Sequence, residues 1–152
     1  MALIFVGYSG SDGMSIALSV TGCLRKHKLK ALLASPKFSR SATYLESEEQ
    51  ILRKARECDA AIMICTKKAY YSQKFQDEVN TLVYDAKIPV IALVQKGSPV
   101  MSVLKLRYRI KFVQGRHRRT CKEIIRVLRL KMRYGSAYLV PEGRELPVVR
   151  TA

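Results

Sequence analysis

The chain has 152 residues, 48% of them hydrophobic, which predicts one globular domain with a substantial apolar core. Its formal charge of +16 is uneven: residues 105–133 carry twelve Lys or Arg and one acid, Glu123. A surface of that sign attracts polyanions. The apolar run at the N-terminus is too short for a signal peptide or a membrane span and follows no basic residues, so we expect a cytoplasmic protein that does not contact a membrane.

The first part of the chain predicts strands alternating with helices. Apolar runs at residues 3–8, 29–34 and 59–65 predict strands, and helical periodicity predicts helices over residues 13–27, 46–57 and 75–86. Asp12 is the predicted cap of the first helix. That helix has a second apolar face, formed by Ile16, Val20 and Cys23, which we expect a neighbouring element or a partner subunit to cover.

The remainder predicts two more strands and a final helix. Residues 88–94 form a short apolar run. Residues 105–112 alternate strictly and predict a half-exposed edge strand. Its predicted buried side holds Leu106, Tyr108, Ile110 and Phe112, and its charged side holds Lys105, Arg107, Arg109 and Lys111. An amphipathic helix is predicted over residues 120–134, ending at Gly135, and residues 135–152 are predicted to be a tail without periodic structure.

The cysteines and histidines predict neither a disulfide nor a metal site. Cys23, Cys58, Cys65 and Cys121 have no C-x-x-C spacing and lie within apolar periodic segments, which favours reduced, buried thiols. The chain has only two histidines and no cluster of carboxylates, so we expect no metal.

The order of the elements predicts a doubly wound α/β domain of the flavodoxin-like type over residues 1–134. Its five-stranded, mainly parallel sheet is expected in the order 2-1-3-4-5, flanked by helices. In that order the loops that begin at Tyr8 and Thr66 face one crevice at the carboxyl ends of the strands. Glu78, near the start of the helix after the third strand, lies at the same edge.

Three motifs give the chain a resemblance to a known family. Residues 5–9, Phe-Val-Gly-Tyr-Ser, followed by Asp12, are similar to the opening Phe-[IV]-Ser-Tyr-Ser-x-x-Asp of Toll/interleukin-receptor (TIR) domains. Residues 58–66 resemble their third strand. Residues 72–78, Ser-x-x-Phe-x-x-Glu, resemble the helix Ser-x-Trp-Cys-x-x-Glu. In order and spacing, residues 1–134 therefore resemble a TIR domain, specifically the stand-alone prokaryotic kind that acts against phage.

The resemblance implies an enzyme that consumes NAD. It implies an NAD glycohydrolase or ADP-ribosyl cyclase that yields ADP-ribose or a cyclic ADP-ribose-type signal in antiphage defence, with NAD as substrate and no cofactor. It also implies self-association through TIR-TIR contacts. By position, Glu78 is the catalytic carboxylate, which suits the oxocarbenium-like state reached when nicotinamide leaves ribose. The implied substrate-binding residues lie in the first loop, the loop after the second strand and the start of the Glu78 helix: Tyr8, Ser9, Gly10, Ser11, Phe38, Arg40, Ser72 and Phe75.

Other functions fit the same residues. A non-catalytic scaffold acting through TIR-TIR contacts is favoured by Gly7 and Lys74, which stand where the family has Ser and Trp. A nucleoside-deoxyribosyltransferase-like enzyme shares the fold class and a carboxylate at the ribose. Glu78 alone is also typical of a solvated glutamate near a helix start, and residues 9–11 of a plain turn. The basic face over residues 105–111 is compatible with a solvated surface, nucleic acid, a phage component or an acidic protein partner.

Overall fold

Five parallel strands form the centre of the fold. The structure is a computed structural model that describes residues 1–33, 48–113 and 115–141. The strands are β1 (Leu3–Gly7), β2 (Lys30–Leu33), β3 (Ala60–Cys65), β4 (Val90–Gln95) and β5 (Tyr108–Phe112). All four pairings are parallel, in the order β2-β1-β3-β4-β5. The predicted fold class and strand order are confirmed, and β5 is the predicted edge strand.

Helices cover both faces of the sheet. They are α1 (Gly10–Lys26), α2 (Glu48–Arg56), α3 (Lys67–Tyr70), α4 (Gln73–Asn80), α5 (Ser102–Lys105) and α6 (His117–Tyr134). A π-helical segment, Thr81–Ala86, continues directly from α4. None of the helices in this described part of the chain has the length and apolar character needed to cross a lipid bilayer.

The core has two layers because alternate strand residues point to opposite faces. On one face Ile4 and Val6 pack with apolar side chains of α1 and α6, among them Leu24 and Leu128. On the other face Phe5 packs with side chains of α2, α4 and the π-helical segment. Every residue of β3 is buried, as expected for a central parallel strand covered on both sides.

Gly7 packs closely against the Met63 side chain of β3. It pairs with Met63, and a Cβ atom at position 7 would lie only 2.3 Å from the Met63 Cε atom. A side chain here, such as the serine of the TIR motif, therefore requires the Met63 side chain to move.

Several predicted boundaries differ from the structure. Helix α1 begins at Gly10 instead of residue 13, so Asp12 lies in its first turn and is not its cap, which is Ser9. The predicted strand over residues 105–112 is shorter: Ser102–Lys105 is helical, and Leu106, predicted to be buried, is 84% exposed. Leu104 is buried instead, because α5 turns that side chain into the core.

Helix α6 covers the second apolar face of α1, so within this domain that face needs no partner subunit. The two helices pack together and are joined by a disulfide between Cys23 and Cys121, whose Cα atoms are 5.7 Å apart. The prediction of reduced thiols is wrong for this pair. It is confirmed for Cys58 and Cys65, which are free and buried.

The first residues after α6 fold back onto that helix. Lys131 is buried, and its Nζ atom donates hydrogen bonds to the carbonyl oxygens of Ser136 at 2.9 Å and Tyr138 at 2.5 Å. Arg126 donates a hydrogen bond to the Pro141 carbonyl oxygen at 2.8 Å. The start of the predicted tail, through Pro141, is therefore attached to the domain by basic side chains. Burial, followed by the charge of Arg107, lowers the pKa of Lys131 from its usual value.

Candidate functional site

The two loops that were predicted to face one crevice follow the carboxyl ends of β1 and β3. Gly10, the first residue of α1, has a φ of +73°, and a Cβ atom there would lie 2.7 Å from the Cδ atom of Lys68 in α3. The start of α1 is therefore in close contact with the Lys68 side chain of α3. The structure brings together the two loops that the strand order placed beside each other.

Side-chain hydroxyl groups cap the N-termini of the two helices that follow β3. The Thr66 hydroxyl oxygen accepts a hydrogen bond from the Ala69 backbone N–H at 3.2 Å, capping α3. The Ser72 hydroxyl oxygen accepts one from the Phe75 backbone N–H at 3.2 Å, capping α4. These caps satisfy N–H groups that have no partner inside a helix and fix where α4 begins. Ser72, predicted to bind substrate, thus has a structural role in this state.

Glu78 is the buried carboxylate of α4. It is the sixth residue of the helix and lies on the same face as Phe75 and Val79, with 2% of its surface exposed. The alternative of a solvated glutamate near the helix start is therefore wrong. Glutamate is rarely buried to this extent, because removing a carboxylate from water costs free energy. Contact between Glu78 and a substrate requires the surrounding residues to move apart.

Some of the predicted substrate-binding residues lie at the exposed start of α1, others lie in the core, and two lie outside the described residues. Ser9 is the N-cap residue of α1 but makes no side-chain capping bond, and Gly10 and Ser11 form the exposed first turn. The backbone N–H groups of that turn are donors suited to an anion such as a diphosphate. Tyr8 belongs to the core beside α1, with 9% of its surface exposed.

Phe75 is 2% exposed and belongs to the core under α4, so its ring is not accessible in this structure. Phe38 and Arg40 lie outside the described residues. The assignments of all these residues to substrate stay predictions.

Three cavities along α6 were not predicted from the sequence. One of about 640 Å³ is lined by His27, Lys122, Arg126 and Arg129 among others, and one of about 860 Å³ lies between Met1 and the end of α6. The third, of about 500 Å³, lies between α1 and α6. Glu78 lines none of these three cavities. Lys and Arg that recur along an amphipathic helix predict an exposed surface, and nothing in this pattern indicates a cavity.

The basic face is exposed on β5 and α6. Arg109 and Lys111 are exposed and alternate with the buried Ile110 of the edge strand, as predicted. The single acid of this region, Glu123, is engaged internally: the Tyr108 hydroxyl donates a hydrogen bond to it at 2.7 Å. Burial raises the pKa of Glu123, but this hydrogen bond and those from Arg126, one of them 2.6 Å long, bring the pKa below its usual value. Glu123 therefore neutralises one arginine and leaves most of the basic face uncompensated.

Comparison with known proteins supports the fold and not a particular activity. No family model matches the sequence, and no curated protein matches it. The crystal structure of the interleukin-17 receptor B SEFIR domain, a TIR-like domain, superposes with a TM-score of 0.54. This chain has a TIR-like fold. The match covers 80% of the chain and 95% of the SEFIR domain at 11% sequence identity. At this level of identity, the match establishes the fold of the chain and nothing further.

Proposed function

We propose that this TIR-like domain cleaves the bond between nicotinamide and ribose in NAD, with Glu78 as the catalytic carboxylate. The observation that carries the proposal is the position of Glu78. Glu78 is almost completely buried on α4, which follows β3 and α3 in the chain, and α3 contacts the start of α1. Ligands of open α/β sheets bind at the carboxyl ends of the strands.

The chemistry requires a negative charge near the ribose. When the nicotinamide nitrogen leaves with the bonding electron pair, positive charge develops at C1′ and the ring oxygen of ribose. A carboxylate in a site from which water is excluded stabilises that charge more strongly than one in solvent. Attack of water on C1′ gives ADP-ribose, whereas attack of an adenine nitrogen gives a cyclic product. The exposed first turn of α1 supplies N–H donors for the diphosphate. A role in antiphage defence rests on the sequence resemblance alone.

The test compares two carboxylates of one helix. Concentrated wild-type protein is incubated with NAD, and nicotinamide, ADP-ribose and cyclic products are resolved by chromatography. Glu78→Gln is expected to reduce nicotinamide release by about 100-fold or more, because removing one preorganised electrostatic group typically costs this much. Asp77→Asn is the matched control: Asp77 lies next to Glu78, is partly exposed and accepts a hydrogen bond from Gln73 at 2.8 Å.

Glu78→Gln keeps the size and shape of the buried side chain, and circular dichroism checks that the variant is folded. Turnover by Glu78→Gln equal to that of Asp77→Asn refutes the assignment of Glu78.

The burial of Glu78 also favours a second function, that of a scaffold without catalysis. With 2% of its surface exposed, the carboxylate is not open to a ligand in this state. A scaffold is expected to release no nicotinamide at any protein concentration and to form oligomers whose size increases with concentration in analytical ultracentrifugation. Nicotinamide release that increases with the oligomer fraction and is lost in Glu78→Gln excludes the scaffold.

A further inference from the structure

We propose that Cys23, His27 and Cys121 form a binding site for a thiol-preferring divalent metal such as Zn²⁺ when the protein is reduced. The site joins α1 to α6 on the face of the sheet opposite α4. It is independent of Glu78 and of the proposed reaction with NAD. The disulfide between the two cysteines and the metal are alternative occupants of one position, because each uses both sulfur atoms.

The three ligand atoms are already close together. The two Sγ atoms and a ring nitrogen of His27 all lie within 4.8 Å of one another. Cys23 and His27 are one helical turn apart on α1, and Cys121 faces them from α6. Tetrahedral zinc with Zn–S bonds of about 2.3 Å and Zn–N bonds of about 2.0–2.1 Å separates its ligand atoms by roughly 3.5–3.8 Å. Once the disulfide is open, side-chain rotations suffice to reach that separation.

The ring of His27 is held by a contact with its own helix. Its Nδ1 atom lies 3.0 Å from the Cys23 carbonyl oxygen. A carbonyl oxygen only accepts hydrogen bonds, so the proton resides on Nδ1, and Nε2 keeps the lone pair that a metal needs. A hydrogen bond from one imidazole nitrogen to a carbonyl group is the usual support for a histidine that binds metal through the other.

The cavity of about 500 Å³ gives the site access to solvent and a free fourth position. Cys23, His27 and Cys121 all line it, together with Lys26 and Lys122. Water is the expected fourth ligand. Arg118 lines the cavity too. These three cations oppose the approach of a metal ion, but their charge stabilises thiolates, and two thiolates neutralise a divalent ion completely.

The remaining cysteines and histidine are poor alternatives. Burial raises the pKa of Cys65 to about 12, and burial together with the charges of nearby acids raises that of Cys58 to about 12. Both belong to the other core layer. His117 also lines the cavity, but it is not among the three residues whose ligand atoms lie within 4.8 Å of one another, and its Nδ1 atom lies 3.4 Å from the Ser19 Oγ atom.

The change from the disulfide to the metal-bound state takes place in two steps, reduction and metal binding, and each step balances in electrons and protons. A dithiol reductant transfers two electrons and two protons to the disulfide, leaving Cys23 and Cys121 as thiols while the reductant closes to its own disulfide. Metal binding then forms two metal–sulfur bonds and one metal–nitrogen bond and releases the two thiol protons to solvent.

The experiment titrates the full chain with Co²⁺. The protein is reduced with a dithiol, freed of reductant by anaerobic gel filtration, and compared with untreated protein. The reduced protein is expected to bind one Co²⁺, with the intense visible absorption of tetrahedral cobalt and a thiolate-to-cobalt charge-transfer band. Binding of each Co²⁺ is expected to release two protons, and added Zn²⁺ is expected to displace the cobalt. The untreated protein is expected to show none of these bands.

Matched variants test each ligand. His27→Gln is expected to weaken Co²⁺ binding at least tenfold, whereas His117→Gln, which changes the other of the two histidines, leaves it unchanged. The double variant Cys58→Ser/Cys65→Ser keeps the site, and Cys121→Ser loses it. Circular dichroism confirms that each variant is folded. Absence of the bands in reduced wild-type protein, or equal binding by His27→Gln and wild type, overturns the proposal.

Discussion

Reduction of the disulfide between Cys23 and Cys121 is predicted to remove a large share of the stability of this domain. The two residues are 98 positions apart, so the disulfide closes a loop that contains most of the sheet. In the chain-entropy model, a loop of about 100 residues restricts the unfolded chain by about 4.7 kcal/mol, and measured values for disulfides are typically about 2–4 kcal/mol. We therefore expect a loss of about 2–5 kcal/mol.

The assay is urea denaturation of metal-free protein, followed by circular dichroism, with and without a dithiol reductant. The midpoint is expected to fall on reduction. The dependence of unfolding free energy on urea is expected to become steeper, because an unfolded chain without the cross-link exposes more surface. Cys58→Ser/Cys65→Ser is the control and should lose as much stability on reduction as wild type, since these cysteines form no disulfide.

Thiol counting verifies the starting state. Unfolded, unreduced protein should react with two equivalents of a thiol reagent, and unfolded, reduced protein with four. A change in unfolding free energy smaller than about 1 kcal/mol in protein with two reactive thiols refutes the loop-entropy reasoning. Four reactive thiols before reduction refute the disulfide itself.

Three further predictions concern single side chains. Glu123→Gln should lower stability by about 1 kcal/mol at neutral pH. Burial raises the pKa of Glu123, but the hydrogen bonds from Arg126 and Tyr108 and the charges of Arg126 and Arg119 together bring it below its usual 4.5. Its contribution is therefore complete above that value and is lost as pH falls through the folded-state pKa, so acid denaturation should bring variant and wild type together. Lys131→Met should release the segment after α6, seen as faster amide hydrogen exchange there with little change in β3. Gly7→Ala should cost about 1–3 kcal/mol in urea denaturation through its contact with Met63; an unchanged midpoint contradicts the close packing.

The sheet was predictable because parallel strands buried on both faces leave a simple signal. Short apolar runs separated by helical periodicity indicate crossover units, and these units allow few topologies. The same reasoning extended β5 too far. Alternation continues through Leu106 in the sequence, but α5 places Leu104 in the core and leaves Leu106 in solvent. Local pattern alone does not show which of two leucines two residues apart is buried.

Long-range contacts explain the other differences. The pairing of Cys23 with Cys121 depends on α6 packing against α1, and no spacing in the sequence encodes it. The burial of Lys131 depends on carbonyl groups beyond the end of its helix. At the candidate site, the sequence left a solvated Glu78 as an alternative, whereas the structure buries it on the face of α4 that holds Phe75 and Val79.

The bond between α1 and α6 also changes the covalent topology of the molecule. Residues 23–121 become a closed ring, and only the segments before Cys23 and after Cys121 are open ends. A protease that cuts the backbone once anywhere in the ring yields no separate fragments: the two pieces stay one molecule of unchanged covalent mass, apart from one added water. A single cut between Cys23 and Cys121 therefore becomes visible only on a reducing gel, whereas a cut in either open end also shows on a non-reducing gel.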